Sequence, residues 1–332
     1  MIYGKERHFY IQNCFFKFFY IWCMELYIVL SALFFSISFH IIIQSIFFRL
    51  KRFDDFNHRT SHNTIATRTG GISIFISLLS ISIIHYFLKI ELFDYSLFIP
   101  LSILFIIGVY DDLYQADFKL KFLMQLIVAK ILIDQGYVIT TFHGFLGIYE
   151  IPWIISQLVT GIAFIVIVNA YNFIDGIDGL AISETLKNLC FFLYLFPSND
   201  QFYKISYILL FVCIPFYYFN LKRRKKVFLG DAGSLFLGGI NIVLLLHLFN
   251  PSVKINSPNE INRILLTFTL LIYPLIDLVR VVIIRLKNKK SPFTADQNHL
   301  HHLVVNKGLS HIKASLFITI IGTLFVFIAL FQ

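Results

Sequence analysis

Ten apolar stretches alternate with short polar segments along this chain, each close to the roughly 20 residues that an α-helix needs to cross a bilayer core. Their centres fall roughly in 26–48, 71–90, 95–110, 119–136, 153–171, 179–197, 203–221, 232–250, 262–286 and 312–331. The pattern predicts an all-α membrane protein, a polytopic bundle of ten helices, or eleven if the N-terminus adds one. The fourth and sixth stretches carry charges. Lys130 and Asp134 are four apart and Glu184 and Lys187 three apart, so each charge has an opposite neighbour on its own helix face.

Residues 8–23 are apolar and aromatic but short for a span and interrupted by Lys17. Met24 precedes Glu25 and the first clear span. Residues 1–23 therefore read as an extension, an interfacial helix or an extra strained span, ahead of a single polytopic domain over 24–332. No small-residue cleavage site stands out, which argues against a cleavable signal peptide.

Composition agrees with the pattern. Hydrophobic residues make up 58% and charged ones 14%, against about 45–50% and about 25% in soluble proteins. Lys and Arg then orient the bundle. Arg49, Lys51, Arg52, Arg59, Arg68, Lys119, Lys121, the run Lys222 to Lys226, Lys287, Lys289, Lys290 and Lys307 fall in one set of loops. The other set holds Lys89, Lys204, Lys254 and Arg263. The first set is expected to be cytoplasmic, on the inner face of the cell membrane. The net charge of +9 is then an orientation signal with attraction for anionic lipid and phosphate, and it does not point to nucleic acid. Cys14, Cys23, Cys190 and Cys213 lie in apolar stretches without CxxC spacing and read as packing residues.

Five aspartates, Asp111, Asp112, Asp175, Asp178 and Asp231, stand at span ends on the expected cytoplasmic side. An Asp at the centre of a span costs roughly 2.5–3.5 kcal/mol on insertion scales; a wet cleft at the helix ends avoids that cost. Taken alone, Asp111-Asp112 reads as a solvated loop and Asp231 as the N-cap of the eighth span. Asn172-Phe-Ile-Asp175-Gly-Ile-Asp178-Gly is denser than capping needs, and it lacks the alternating acids and terminal Glu of an EF-hand. Its glycines permit close approach or a break. Gly230-Asp231-Ala-Gly233-Ser234 opens a helix after a basic run, a setting suited to phosphate. The last polar loop ends in His299-Leu-His301-His302, which has no zinc-site spacing and suits hydrogen bonding to a diphosphate. His40, His85, His143 and His247 read as structural.

These motifs, in this order, resemble the polyprenyl-phosphate N-acetylhexosamine-1-phosphate transferases, which include undecaprenyl-phosphate GlcNAc-1-phosphate transferases and phospho-MurNAc-pentapeptide transferases. The resemblance runs from about residue 50 to 315. It takes in Asn57-His-Arg-Thr-Ser-His62 with Gly70-Gly71, Tyr110-Asp111-Asp112-Leu113, Asn169 to Ala181, Phe228 to Ser234, Pro274 with Asp277 and Arg280, and Ser291-Pro-Phe293 with His299 to His302. Ile65 and Thr67 stand where the family usually has prolines. The interrupted histidine motif differs from the HHH of the pentapeptide enzymes and favours a sugar-phosphate transferase of surface-polysaccharide synthesis, such as O-antigen or teichoic acid. The pentapeptide transferase remains the alternative, with a secondary transporter or a non-catalytic lipid-binding scaffold behind it.

The resemblance implies attack of undecaprenyl phosphate on the β-phosphorus of a UDP-N-acetylhexosamine, releasing UMP, with Mg²⁺ as cofactor or Mn²⁺ in its place. It implies Asp231 and Asn172 as metal ligands and Asp111, helped by Asp112, as base or phosphate-positioning group. Asn172, Asp175 and Asp178 would shape the nucleotide-sugar pocket, and His299, His301 and His302 would hold the diphosphate. The partners are these two substrates and membrane lipid. Which N-acetylhexosamine is used, and whether the chain forms a homodimer, the sequence leaves open.

Overall fold

Every one of the ten apolar stretches is helical, because a backbone among apolar side chains satisfies its polar groups only within its own helix. The computed structural model describes residues 3–53, 65–222, 224–256, 263–291 and 298–331, with side chains from Glu25 onward. The Asn57–His62 loop with Arg59, Arg223, residues 292–297 and the side chains of 1–24, including Lys17, Cys14 and Cys23, lie outside the described residues. The helices are α1 (Tyr3–Arg49), α2 (Gly70–Phe87), α3 (Phe98–Tyr114), α4 (Phe118–Asp134), α5 (Trp153–Ile174), α6 (Leu180–Leu195) and α7 (Gln201–Leu221). They continue with α8 (Gly230–Phe249), α9 (Arg263–Leu270), α10 (Ile272–Lys287), α11 (Leu300–Asn306) and α12 (His311–Leu330). Asp117, Asp200 and Ser310 cap α4, α7 and α12 through their own side chains.

Among the described residues, seven helices are long and apolar enough to cross a membrane, and α9 with α10 makes an eighth if the bent pair is one span. The expected count of ten is not confirmed. At 17 and 16 residues, α4 and α6 form where expected but are short for a span, and both carry paired charges. The bend of 68° between α9 and α10 has a local cause. Pro274 has no N–H to give the carbonyl of Leu270 four residues back, and its ring crowds that oxygen.

The axial helix is α8, almost wholly buried between α2, α3 and α5. Gly71 of α2 and Gly108 of α3 lie directly against the backbone of Gly233 and Ala232, where any side chain would collide. Small residues let these helices approach closely, and packing rather than water drives association in lipid. Two extended segments complete the same end. They are β1 (Ala66–Thr67) and β2 (Lys226–Val227), paired in parallel and continued by Gly70 and Gly71 N–H donation to the Phe228 and Leu229 carbonyls. This pairing ties the entries of α2 and α8 together.

The opposite end is knit by its own bonds. Arg263 donates to the carbonyls of Leu248, Asn250 and Val253, and His247 pairs with Asp200. The expected helix-face pairs are present, Lys130 with Asp134 and Lys187 with Glu184 at 2.5 Å. Asp277 and Arg280 have separate partners, described below. The deeply buried pair is Glu184 with Lys187, because α6 is enclosed by protein on nearly every side. His40 and His85 each bond the carbonyl four residues back, as structural residues do.

Candidate active site

The entry of α8 is capped from another helix. No side chain at its own N-terminus caps it; instead Asp112, in the last turn of α3, accepts from the N–H groups of Asp231 and Ala232, both at 3.0 Å. Taken alone, the sequence made Asp231 the N-cap, and the structure corrects this. Asp231 sits inside the first turn, so its carboxylate faces outward to the Lys121 ammonium at 2.8 Å. Lys121 is also 3.0 Å from Asp111, whose other oxygen accepts from Ala116 N–H at 2.7 Å and tightens the α3–α4 turn. One cation thus bridges two carboxylates. Asn172, in the last turn of α5, donates to Ser234 Oγ at 2.9 Å, one turn along α8 from Asp231.

The dense motif after Asn172 breaks the helix. α5 ends at Ile174, and Gly179, at φ +84°, lets the chain turn into α6 where an L-residue would be strained. Its N–H donates to Asn220 Oδ1 at 2.7 Å. The turn presents Asp175 and Asp178 to a cavity of about 210 Å³ lined also by Arg68, Asp112, Asp231 and His311. A larger cavity of about 770 Å³ lies at the other end, around Lys89, Glu91 and Lys204. It contains none of the motif residues, so the smaller cavity is the candidate site.

Charge is unevenly settled there. Burial pushes the Asp175 carboxyl well above the usual range, and the carboxylates of Asp231, Asp112 and Asp178 push it further against the pull of Arg68. Burial also raises Asp178, but hydrogen bonds and charge from His311 and Lys226 outweigh it and hold Asp178 below the usual value. The sign follows for stability. Asp178 contributes above its unfolded pKa and loses that contribution as pH falls through its lowered folded value. Asp175 does the reverse: its contribution is present below its unfolded pKa and is lost as pH rises through its raised folded value. Asp175→Asn, neutral at all pH, is therefore expected to stabilise the fold at neutral pH by about 1–2 kcal/mol, read as a raised melting temperature. Metal-free thermal unfolding at pH 5 and pH 8 checks this, since the gain should be larger at the higher pH and shrink at the lower.

The histidines form the adjoining wall. His299 Nδ1 lies 2.6 Å from Asp277 Oδ2, and Leu300 N–H donates to Asp277 Oδ1 at 2.6 Å. Arg280 donates to the Asn298 carbonyl. His301 is fully buried, with Nδ1 2.9 Å from the Tyr273 hydroxyl and its ring edge against Gly176 of the motif turn. Burial, then the neighbouring imidazoles of His302, His299 and His311, push its pKa down to about 2, so it is neutral. Asp277, His299 and His301 bring ligand-capable atoms within 4.8 Å of one another, but hydrogen bonds already engage both Asp277 oxygens and both Nδ1 atoms. Through the contact at Nδ1, Asp277 fixes the orientation of the His299 ring. Asp277→Asn is expected to lower turnover about 10–100-fold with little loss of helicity, measured by initial rates beside circular dichroism.

Pattern reasoning placed the aspartates and Asn172 correctly at one end but did not single out Lys121, Lys226 or His311 as site residues, and it gave Arg68 no role. Lys121 had left a trace: a lysine in the first turn of a helix opposes the helix dipole, which argues for a partner elsewhere.

A membrane bundle with a carboxylate-lined cleft at one end, facing a histidine wall, is the class that fold and site define. The profile of glycosyl transferase family 4 matches residues 95–249. A probable undecaprenyl-phosphate N-acetylglucosaminyl 1-phosphate transferase of Bacillus subtilis is 32% identical over 86% of this chain and 78% of its own length. Undecaprenyl-phosphate alpha-N-acetylglucosaminyl 1-phosphate transferases of Yersinia pestis and Escherichia coli K12 are each 27% identical, over 89% and 81% of this chain and 80% and 73% of theirs. The chain belongs to this family, the polyprenyl-phosphate N-acetylhexosamine-1-phosphate transferases.

Proposed function

We propose that this protein transfers N-acetylhexosamine-1-phosphate from a UDP-sugar to undecaprenyl phosphate or a related polyprenyl phosphate. UMP leaves, and a lipid-linked diphosphosugar remains to start a surface polysaccharide. The observation that carries the reading is convergence: Asp111, Asp112, Asn172, Asp175, Asp178 and Asp231, from three separate stretches of chain, meet around one end of α8. A secondary transporter would be expected to place its ionisable site near the membrane midplane.

The physical difficulty is bringing two phosphate groups together. Two unit charges 4 Å apart repel by about 4 kcal/mol at an effective dielectric near 20. The donor set suits a small hard cation: the Asp231 carboxylate is not consumed in capping, Asp111 faces it, and the Lys121 ammonium already lies between them. Asp231 and Asn172 would hold Mg²⁺, which, when bound, screens the phosphates and stabilises charge developing on the leaving UMP. Asp111 positions the polyprenyl phosphate or takes its proton. Asp112 acts through α8, by holding Asp231 in place. Asp175 and Asp178, with Arg68, Lys226 and His311, form the nucleotide-sugar pocket. His299 and His302 meet the diphosphate, and buried His301 supports them from behind. An apolar cavity of about 380 Å³ between α5, α8 and the α9–α10 bend, lined by Val166, Phe268, Leu271 and Leu275 among others, suits the prenyl tail.

The basic loops at this end support a position on the cytoplasmic side of the cell membrane, where nucleotide sugars are found. The deciding experiment incubates purified protein with a panel of UDP-sugars, undecaprenyl phosphate and Mg²⁺, and weighs the lipid product. A product heavier than the lipid substrate by one sugar phosphate, with UMP in equal amount, is expected. Absence of both across the panel defeats the proposal.

A further inference from the structure

Lys187 and Glu184 are both almost completely buried and take no part in the chemistry above. Lys187 makes a second bond, from Nζ to the carbonyl of Leu270 at 3.0 Å. This is the oxygen that Pro274 leaves without its helical amide, so an ammonium on α6 supplies the donor missing from the α9–α10 bend. Room for it comes from α12, where Gly322 faces the ammonium; a Cβ there would stand 3.2 Å from Nζ. Glu184 Oε2 accepts a hydrogen bond from the same group at 2.5 Å, so the buried lysine head has a partner of opposite kind beside it.

What lies beyond the bend gives this bond its consequence. Within ten residues of Leu270, Tyr273, Asp277 and Arg280 bond His301, His299 with Leu300, and Asn298 respectively. His301 in turn packs on Gly176, in the turn that leads directly into α6. A change of angle at Leu270 moves the whole histidine wall relative to Asp175 and Asp178.

We propose that Lys187, held by Glu184, is a positioning residue: it fixes the α9–α10 bend by replacing the amide that Pro274 lacks, and so sets where the histidine segment stands. The activity arm of the test rests on the transferase reading; the distance arm does not. Spin labels go at Leu286 on α10 and Tyr218 on α7, both exposed, in full-length protein in lipid nanodiscs with its four cysteines replaced.

Lys187→Met is expected to shift or broaden the label-to-label distance and lower kcat by about tenfold or more, with KM for the UDP-sugar little changed. In a Pro274→Ala background the Leu270 carbonyl regains an amide, so adding Lys187→Met should alter neither readout further. A wild-type distance and kcat in Lys187→Met would overturn the proposal. So would effects of equal size in both backgrounds, which is what loss of general stability produces. If Lys187→Met does not fold, Glu184→Gln is read the same way: a smaller shift in the same direction supports the brace, and no change refutes it. Absence of transfer by the wild type would defeat the functional reading while the distances still decide the brace.

Discussion

Asp231→Asn is expected to lower UMP release by about 10²–10³-fold while expression and thermal stability stay close to wild type. The substitution keeps the side chain's shape and leaves the backbone N–H of residue 231 bonded to Asp112, so the entry of α8 keeps its cap. It removes the charge that faces Lys121. In the proposed mechanism that charge holds the metal, and a neutral amide oxygen binds a hard dication more weakly than a carboxylate does. Raising Mg²⁺ should recover part of the loss if weakened binding causes it. UMP release near the wild-type level, at equal expression, would remove Asp231 from the metal site.

Asp112→Ala should fail differently, by loosening the protein as well as stopping the reaction. Its carboxylate is almost entirely buried and accepts from two amides at the start of α8. Truncation leaves both donors without a partner at about 1–3 kcal/mol each, so a total of about 2–6 kcal/mol is expected, together with loss of turnover as Asp231 shifts. Asp112→Asn should fall between, since its oxygen serves one donor while its NH₂ opposes the other. Thermal melts in detergent beside UMP release separate the cases: Asp231→Asn inactive but stable, Asp112→Ala inactive and unstable. An Asp112→Ala protein that melts like wild type would show that the cap is unimportant.

These adjacent motif residues illustrate how far a linear pattern reaches. It brings Asp111 and Asp112 to a span end as a pair, yet one closes a turn and faces Lys121 while the other crosses to α8. Nothing in a DD dipeptide distinguishes the two, because Asp111 finds Ala116 and Lys121 close by in the chain while Asp112 reaches the Asp231 and Ala232 amides more than a hundred residues away. The three histidines show the same limit. His299, His301 and His302 look equivalent in order, but helical geometry and the approach of Gly176 bury His301 and leave His302 half-buried. Arg68 belonged to a loop whose expected prolines are Ile65 and Thr67; pairing of that loop with β2 puts it 3.6 Å from Asp112.

Local properties were decided in one dimension. Apolar runs must close their hydrogen bonds as helices in lipid, Glu184 and Lys187 must share a helix face at a spacing of three, and Pro274 must leave a carbonyl free, all from interactions within a few residues. Tertiary structure alone decided which aspartate caps and which stays available, where Lys121 and His311 come to rest, and that Lys187 answers the gap left by Pro274. Those outcomes depend on contacts between distant segments, set by how closely the glycines of α2 and α3 let the bundle close on α8.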